Sequence, residues 1–351
     1  MASSTVNRYL VAGPCAVESR EQVYETARQL HERLAGELSL FRAGVWKPRS
    51  RAGAFSGVGE AAFPWLQQIQ QEFRLPVCVE VAGASHVESC LQNGITRFWI
   101  GARTAVNPFI VQEIADAVRG QQVTVLVKNP AIPDLQLWLG NVERFEKAGV
   151  KEVWAVHRGF ADSKENILRN APLWEIPVAF KVARPDLPLL CDPSHISGKK
   201  QYIKQIAQIA LDYGCDGLML ECHCQPECAL SDSEQQLTPE ELGELLKSLV
   251  FKQPSQNVED LLRKQRTLIR HIDAQMAQLL ARRFSVVQEI AQIKREHNIP
   301  LIQPEQWNSV VKNYQQYELK DADYQEFLQN FLNLMHQASL KCQQNTEPSN
   351  D

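Results

Sequence analysis

The sequence predicts an α/β fold, a closed eight-stranded parallel (β/α) TIM barrel, followed by an all-α three-helix domain that dimerises. Three observations carry that expectation. Between residue 9 and about residue 250, eight short apolar runs alternate with amphipathic stretches of helical length, the arithmetic of eight βα units in roughly 240 residues. No glycine-rich GxGxxG turn follows the first run, so the open doubly wound sheet ranks second. From Val258 to His297 there is neither proline nor glycine, and apolar residues recur at helical spacing.

The expected strands are, in order, YLVAGPC from Tyr9, LSLFRAGV from Leu38, PVCVEVAG from Pro76, RFWIGA from Arg97, TVLVKN from Thr124, EVWAVHRG from Glu152, LPLLCD from Leu187 and GLMLECH from Gly217. Between them lie helical patterns such as EQVYETARQLHERL, NPFIVQEIADAV and KKQYIKQIAQIALDY. FKQPSQN, with Pro254, breaks the pattern and reads as a linker, giving domains of 1–250 and 257–351. At about 1.5 Å per residue the long helix approaches roughly 60 Å, too long for a small domain to cover. Two weaker helices, one after Pro304 and one from about Asp323 to Gln343, supply part of the cover. A second copy of the chain supplies the rest, which makes the expected assembly a homodimer through the helical domain.

Composition excludes several classes. The 351-residue chain is 44% apolar, enough for proper cores, and its formal net charge of -4 offers no general attraction to nucleic acid or an anionic membrane. MASSTVNR lacks an apolar signal core, and no stretch approaches the roughly 20 apolar residues of a membrane span, so the expected location is cytoplasmic. Nine cysteines, an odd count, point to reduced thiols; most, such as Cys78 and Cys191, read as small core residues.

The chemistry concentrates where the strands end. LPLLCD and GLMLECH lead into His195 and Glu221, Asp232 follows in the next loop, and YLVAGPC ends in Cys15. A thiol, an imidazole and two carboxylates at the carboxyl ends of neighbouring strands suit a divalent transition metal. The same ends carry Arg42, Lys47, Arg49, Arg51, Arg103, Lys128, His157 and Arg158, a cationic rim on an acidic protein. Any one of these cations is more often a solvated side chain; gathered at one mouth they favour phosphates or carboxylates, more than one. ECHCQPEC has a rival reading as structural zinc, although CxCxxxC lacks a second pair at finger spacing. His223, two residues past Glu221, reads either as a group behind the metal or as a rim histidine.

GPC at 13–15, KPRS at 47–50, GAR at 101–103, the lysine of VLVKN, HRG at 157–159, DPSH at 192–195, and Glu221 with ALSD at 229–232 together resemble 3-deoxy-D-arabino-heptulosonate 7-phosphate (DAHP) synthase. The resemblance spans residues 9–250 and is closest to the short type without an added amino-terminal regulatory domain. It implies condensation of phosphoenolpyruvate with erythrose 4-phosphate, an enzyme of the shikimate pathway, and a divalent metal ion (Mn2+, Fe2+, Co2+ or Zn2+) on Cys15, His195, Glu221 and Asp232. It further implies Arg42, Lys47, Arg103, Lys128 and Arg158 around phosphoenolpyruvate, with Arg49 and Ser50 on the second substrate's phosphate and Lys47 protonating or orienting the reacting centre. The alternative, 3-deoxy-D-manno-octulosonate 8-phosphate synthase, shares the barrel but carries an Asn-Arg motif where this chain has KPRS. HRG stands where some members have ERG, leaving His157 to shuttle a proton or orient a neighbour.

On the long helix, about 100° per residue puts Arg283 and Lys294 some 20° apart, on the face of Ile272, Met276 and Ile290, with Arg266 about 100° away. Cations on an apolar stripe need counter-anions, unless they snorkel outward along a coiled coil. Arg266, the IDAQ of 272–275, Arg283, Lys294, the IP of 299–300, Ser339 and Gln343 resemble the all-helical chorismate mutase family over residues 257–343. The resemblance implies an intertwined dimer that rearranges chorismate to prephenate. Arg266 and Arg283 would grip carboxylates, Lys294 and Gln343 would lie near the ether oxygen, and Ser339 would complete the site. Gln306-Trp307 departs from the Arg-Glu pair expected there. A helical domain acting only as a dimerising sensor of chorismate or prephenate is the competing reading, and feedback on the barrel is expected under either.

Overall fold

The computed structural model describes residues 9–34, 36–48, 53, 55–161, 167–251, 256–302, 309, 310, 312 and 322–345, apart from the side chains of 256–261, 264, 322, 323 and 345. The chain divides into two compact units, Met1–Lys252 and Gln253–Asp351. In the first, eight parallel strands close on themselves in sequence order. They are β1 (Tyr9–Gly13), β2 (Leu40–Ala43), β3 (Val77–Val81), β4 (Arg97–Ile100), β5 (Thr124–Lys128), β6 (Glu152–His157), β7 (Leu189–Cys191) and β8 (Gly217–Glu221). β8 pairs back to β1 from Tyr9 opposite Gly217 to Gly13 opposite Glu221. The strands are buried on both faces, which is why their sequences run almost continuously apolar instead of alternating.

Alternation survives in where the side chains go. Val11, Leu40, Cys78, Trp99, Leu126, Trp154, Val156, Leu190 and Met219 pack into one cluster inside the barrel. Their strand neighbours, Phe41, Val79, Val125, Val127 and Ala155 among them, pack outward against the helices. Continuing the inward parity by two residues reaches Arg42, Glu80, Lys128, Arg158, Asp192 and Glu221, so the barrel interior is apolar below and ionic at the carboxyl-terminal mouth. The helices that cover the outside start on local signals. Ser19 caps α1 (Arg20–Arg33), and Asn107 followed by Pro108 caps α4 (Pro108–Ala117), after α2 (Phe63–Phe73) and α3 (Ala84–Gln92). Asp134 caps α5 (Leu135–Lys147). α6 (Glu175–Ala183), α7 (Pro193–Ser197) and α8 (Ile203–Asp212) follow, and Thr238 with Glu241 forms a reciprocal capping box on α9 (Pro239–Ser248).

In the second unit, α10 (Gln256–Glu296) has 41 residues and α11 (Ala322–Asn345) has 24. At about 1.5 Å per residue they span roughly 61 and 36 Å, so α11 can line only part of α10. Val287, Ala291 and Lys294 are buried on α10, as are Leu332, Met335 and Ser339 on α11. Ile269, Ile272, Met276 and Leu279, farther toward the amino end, are 45–65% exposed. The helix expected after Pro304 falls largely outside the described residues. No described helix is long and apolar enough to cross a membrane.

Candidate active site

Cys15, just past β1, has no exposed surface. Its Sγ lies 3.3 Å from Asp232 Oδ2 and 3.0 Å from Ser231 Oγ, and the Lys47 ammonium donates to it at 2.7 Å. Ligand atoms of Cys15, Glu221 and Asp232 all lie within 4.8 Å of one another, the one such group among the described residues. His195 Nε2 stands 3.6 Å from Glu221 Oε1. Asp232 reaches inward from a left-handed backbone position, φ 48°. The residues fit a divalent transition metal on the chemistry of the donors, since sulfur and two carboxylates converge from three separate chain segments with the His195 imidazole beside Glu221. Deprotonation of Cys15 is the step such an ion must drive, because burial, reinforced by Glu221, pushes that thiol up to about 12 despite Lys47.

Around this corner the cations alternate with acids. Arg42 Nη2 donates to Glu221 Oε1 at 2.9 Å and its guanidinium lies 5.0 Å from the Trp99 ring. Lys128 Nζ donates to Asp192 Oδ2 at 2.7 Å, and His195 Nδ1 lies 2.8 Å from the same oxygen. Arg158 Nη1 donates to Asn170 Oδ1 at 2.6 Å, and Arg103 reaches the Pro48 carbonyl at 3.3 Å. Arg42, Lys47, Glu80, Arg103, Lys128, Arg158, Arg169, His195 and Asp232 line a cavity of about 330 Å³.

The charge states follow from this packing. Burial opposes ionisation of Glu221, yet His195, Arg42 and Lys47 hold its carboxyl down at about 2. Asp192 is held well below the carboxylate range by His195 and Lys128, also against burial. Burial pulls Arg158 down to about 10 and lowers Lys128, the opposing Asp192 notwithstanding. His195 falls to about 4 through burial, so it is a neutral imidazole at pH 7, as a metal ligand must be. At neutral pH the mouth therefore holds ionised acids and protonated cations with cations in excess, a surface that attracts multiply charged anions.

In the helical unit, Arg283 Nη1 donates to Ser339 Oγ at 2.8 Å, and Lys294 Nζ donates to the Leu301 carbonyl at 2.7 Å. Gln343 Oε1 is shielded from solvent and meets no donor among the described residues. Arg266 is exposed and lines a separate open hollow with Arg263, Ile269 and Arg270. Ile272 and Met276, counted on the Arg283–Lys294 face, lie beyond the cover of α11 and stay exposed.

Residues 5–256 match the DAHP synthetase I family. The chain belongs to this family. Residues 265–344 match chorismate mutase type II. The chain is 28% identical over 240 residues to phospho-2-dehydro-3-deoxyheptonate aldolase of Thermotoga maritima, covering 68% of each. The solved structure of that DAHP synthase superposes with a TM-score of 0.60 at 28% identity, over 68% of this chain and 67% of that one. A 2-dehydro-3-deoxyphosphooctonate aldolase of Nitratidesulfovibrio vulgaris is 27% identical over 267 residues, 71% of this chain and 93% of that protein. This member of the DAHP synthetase I family therefore joins a transferase barrel to an isomerase domain, two activities of the shikimate pathway.

Against the sequence reading, Arg49 and Ser50 lie outside the described residues, as do Arg51, Gln306 and Trp307. Of the two roles left open for His157, the packing favours orienting a neighbour: it has outward parity, packs against Trp138, Phe160 and Trp174, and is not among the residues lining the cavity. For His223, the rim reading of the two left open is the one its contacts favour. Strand pairing to β1 ends at Glu221, and the ring beyond it accepts from Gln225 N–H at 2.9 Å and lies 3.8 Å from Glu18, neither of which lines the cavity. The cysteine-rich stretch forms no zinc cluster among the described residues: Cys222 packs in the helix layer, Cys224 points at the Gln22 carbonyl and Cys228 is exposed. Sequence reasoning missed Glu80, Asp192, Asn170, Arg169 and Gln235. Inward parity was the available signal for Glu80 and Asp192. For the three loop residues there was none.

Proposed function

We propose that the barrel condenses phosphoenolpyruvate with erythrose 4-phosphate and water to give DAHP and phosphate, in a reaction that requires a divalent metal ion on Cys15, His195, Glu221 and Asp232. The observation that carries this reading is the convergence of Cys15, Glu221 and Asp232, with His195 against Glu221, beside a cavity lined by six cations. When bound, the ion supplies Lewis acidity toward the sugar aldehyde. Arg42, Arg103, Lys128 and Arg158 fix the carboxylate and phosphate of phosphoenolpyruvate and hold C3 of its enol facing the aldehyde carbon. Lys47, its ammonium 2.7 Å from the Cys15 thiol, is placed to give a proton to the aldehyde oxygen as the carbon–carbon bond forms. Water then adds at C2 and phosphate departs with C–O cleavage. Arg49 and Ser50 are assigned to the phosphate of the four-carbon sugar, and the KPRS sequence favours that sugar over the five-carbon aldose phosphate of an octulosonate synthase. Side-by-side assays with the two aldose phosphates test this: preference for the five-carbon substrate overturns it.

For the helical unit, we propose a homodimer along α10 in which Arg266 of each chain serves the other's site. The exposed apolar residues of α10, Ile269, Met276 and Leu279 among them, support that pairing. Chorismate needs no covalent help, only a compact fold and stabilised charge on the breaking ether oxygen. Arg266 and Arg283 grip its carboxylates, with Ser339 orienting Arg283, while Lys294 and the Gln343 amide N–H donate toward the ether oxygen. Bound prephenate or chorismate then depresses the barrel reaction, a coupling of about 1–3 kcal/mol in ordinary allosteric systems. A paired assay of both reactions with and without prephenate tests it: barrel kinetics indifferent to prephenate remove the regulatory role. Sedimentation of the purified chain tests the pairing, and a monomer at micromolar concentration excludes it.

A further inference from the structure

Arg169 is absent from the proposed ligand and substrate sets, yet one of its nitrogens bonds one acidic ligand directly and is linked to the other through a single amide. Nη1 donates to Asp232 Oδ1 at 3.0 Å and to Gln235 Oε1 at 2.8 Å. Gln235 in turn donates from Nε2 to Glu221 Oε2 at 2.6 Å, a buried hydrogen bond. That chain of donors fixes the Gln235 amide, since its oxygen must face Arg169 for its nitrogen to face Glu221. The other carboxylate oxygen of Glu221 is taken by Arg42, so the acid is held from both sides.

The stem of Arg169 is itself fixed. Its backbone N–H donates to the Ser197 carbonyl at 3.3 Å, and Asn170 N–H to the Ile196 carbonyl at 3.1 Å, tying the segment to the helix that carries His195. Gly198, at φ 69°, lies against it: a Cβ there would fall 2.6 Å from Arg169 Cβ. The next residue, Asn170, donates to the His195 carbonyl at 2.6 Å.

We infer that Arg169 is a positioning residue for the metal centre: through one direct bond and one relayed by Gln235, a single guanidinium sets the angle and spacing of both acidic ligands. The inference rests on the metal assignment above. Groups that orient ligands from behind commonly change metal affinity by about 10–100-fold when removed. The experiment is Mn2+ titration of the metal-stripped full chain without substrates, with the Co2+ absorption spectrum as a readout of ligand geometry. Arg169→Met is expected to weaken Mn2+ by about 10–100-fold and shift the Co2+ bands, with Arg169→Lys recovering part of both. Gln235→Met, which releases Glu221 alone, is expected to fall between and carries the test if Arg169→Met does not fold. Mn2+ affinity within about twofold of wild type and an unchanged Co2+ spectrum in these variants overturn the inference. Failure of the metal assignment looks different: Cys15→Ser then binds Mn2+ as the wild-type chain does.

Discussion

Asp192 is a fully buried acid whose loss the geometry makes costly in a calculable way. One oxygen accepts from Lys128 at 2.7 Å and lies 2.8 Å from His195 Nδ1; the other accepts the His195 backbone N–H at 3.1 Å. Arg42 is 4.0 Å away, and Lys128 and Arg42 are themselves only 3% and 1% exposed. Asp192→Asn keeps the shape and removes the charge, leaving buried Lys128 without its bonded carboxylate and Arg42 with Glu221 alone. Breaking a buried pair from one side costs about 3–5 kcal/mol, which at roughly 2–4 °C per kcal/mol for a domain of this size lowers the melting transition by roughly 6–20 °C. The assay is thermal unfolding of the metal-free chain followed by circular dichroism. Asp192→Asn combined with Lys128→Met removes both partners and is expected to recover part of the loss, with a coupling above about 1 kcal/mol. A single variant that melts within about 2 °C of wild type, or a double variant no better than the sum of the singles, refutes the reasoning.

His157 sits among aromatic rings with burial pulling it down to about 3, below its unfolded value near 6.5; the folded state therefore binds fewer protons, and stability is lost as pH falls from 6.5 toward 3. At pH 5 that loss is about 2 kcal/mol, so His157→Phe should lose about that much less than wild type between pH 7 and pH 5 in urea unfolding; equal losses contradict it. Gly13 has φ 148°, and a Cβ there would fall 2.2 Å from the Arg42 carbonyl, so Gly13→Ala should disrupt the β1–β2 mouth and cut DAHP formation by more than about 100-fold; near-normal kcat would count against the packing. Arg283→Ala should slow loss of chorismate absorbance by about 100-fold or more, and an unchanged rate would remove Arg283 from the mutase site.

The barrel was legible because its strands are short apolar runs at regular spacing, and the proposed metal ligands Cys15, His195, Glu221 and Asp232 were candidates because each stands at or beyond the end of such a run. The acids facing the cations were harder to read. Glu80 sits inside PVCVEVAG and Asp192 inside CDPSH, where each passes for strand or cap chemistry until inward parity is followed out from Cys78 and Leu190. His157 shows the converse: an inward neighbour, Arg158, made its own position look functional, while period two sends it to the helix layer. Arg169 and Gln235 come from loops, where no periodicity constrains direction, and their roles exist only in the folded contacts. On α10 the wheel separated Arg266 from Arg283 and Lys294, but which apolar residues are covered depends on the length of α11, a tertiary fact.

The most direct test of the account is anomalous diffraction from crystals of the full chain soaked with Mn2+ and phosphoenolpyruvate. The account predicts one strong peak in the barrel, within about 2.0–2.6 Å of Cys15 Sγ, His195 Nε2 and carboxylate oxygens of Glu221 and Asp232, with the enol phosphate against Arg42, Lys128 and Arg158. A barrel mouth without that peak, or an ion bound away from Cys15, contradicts it.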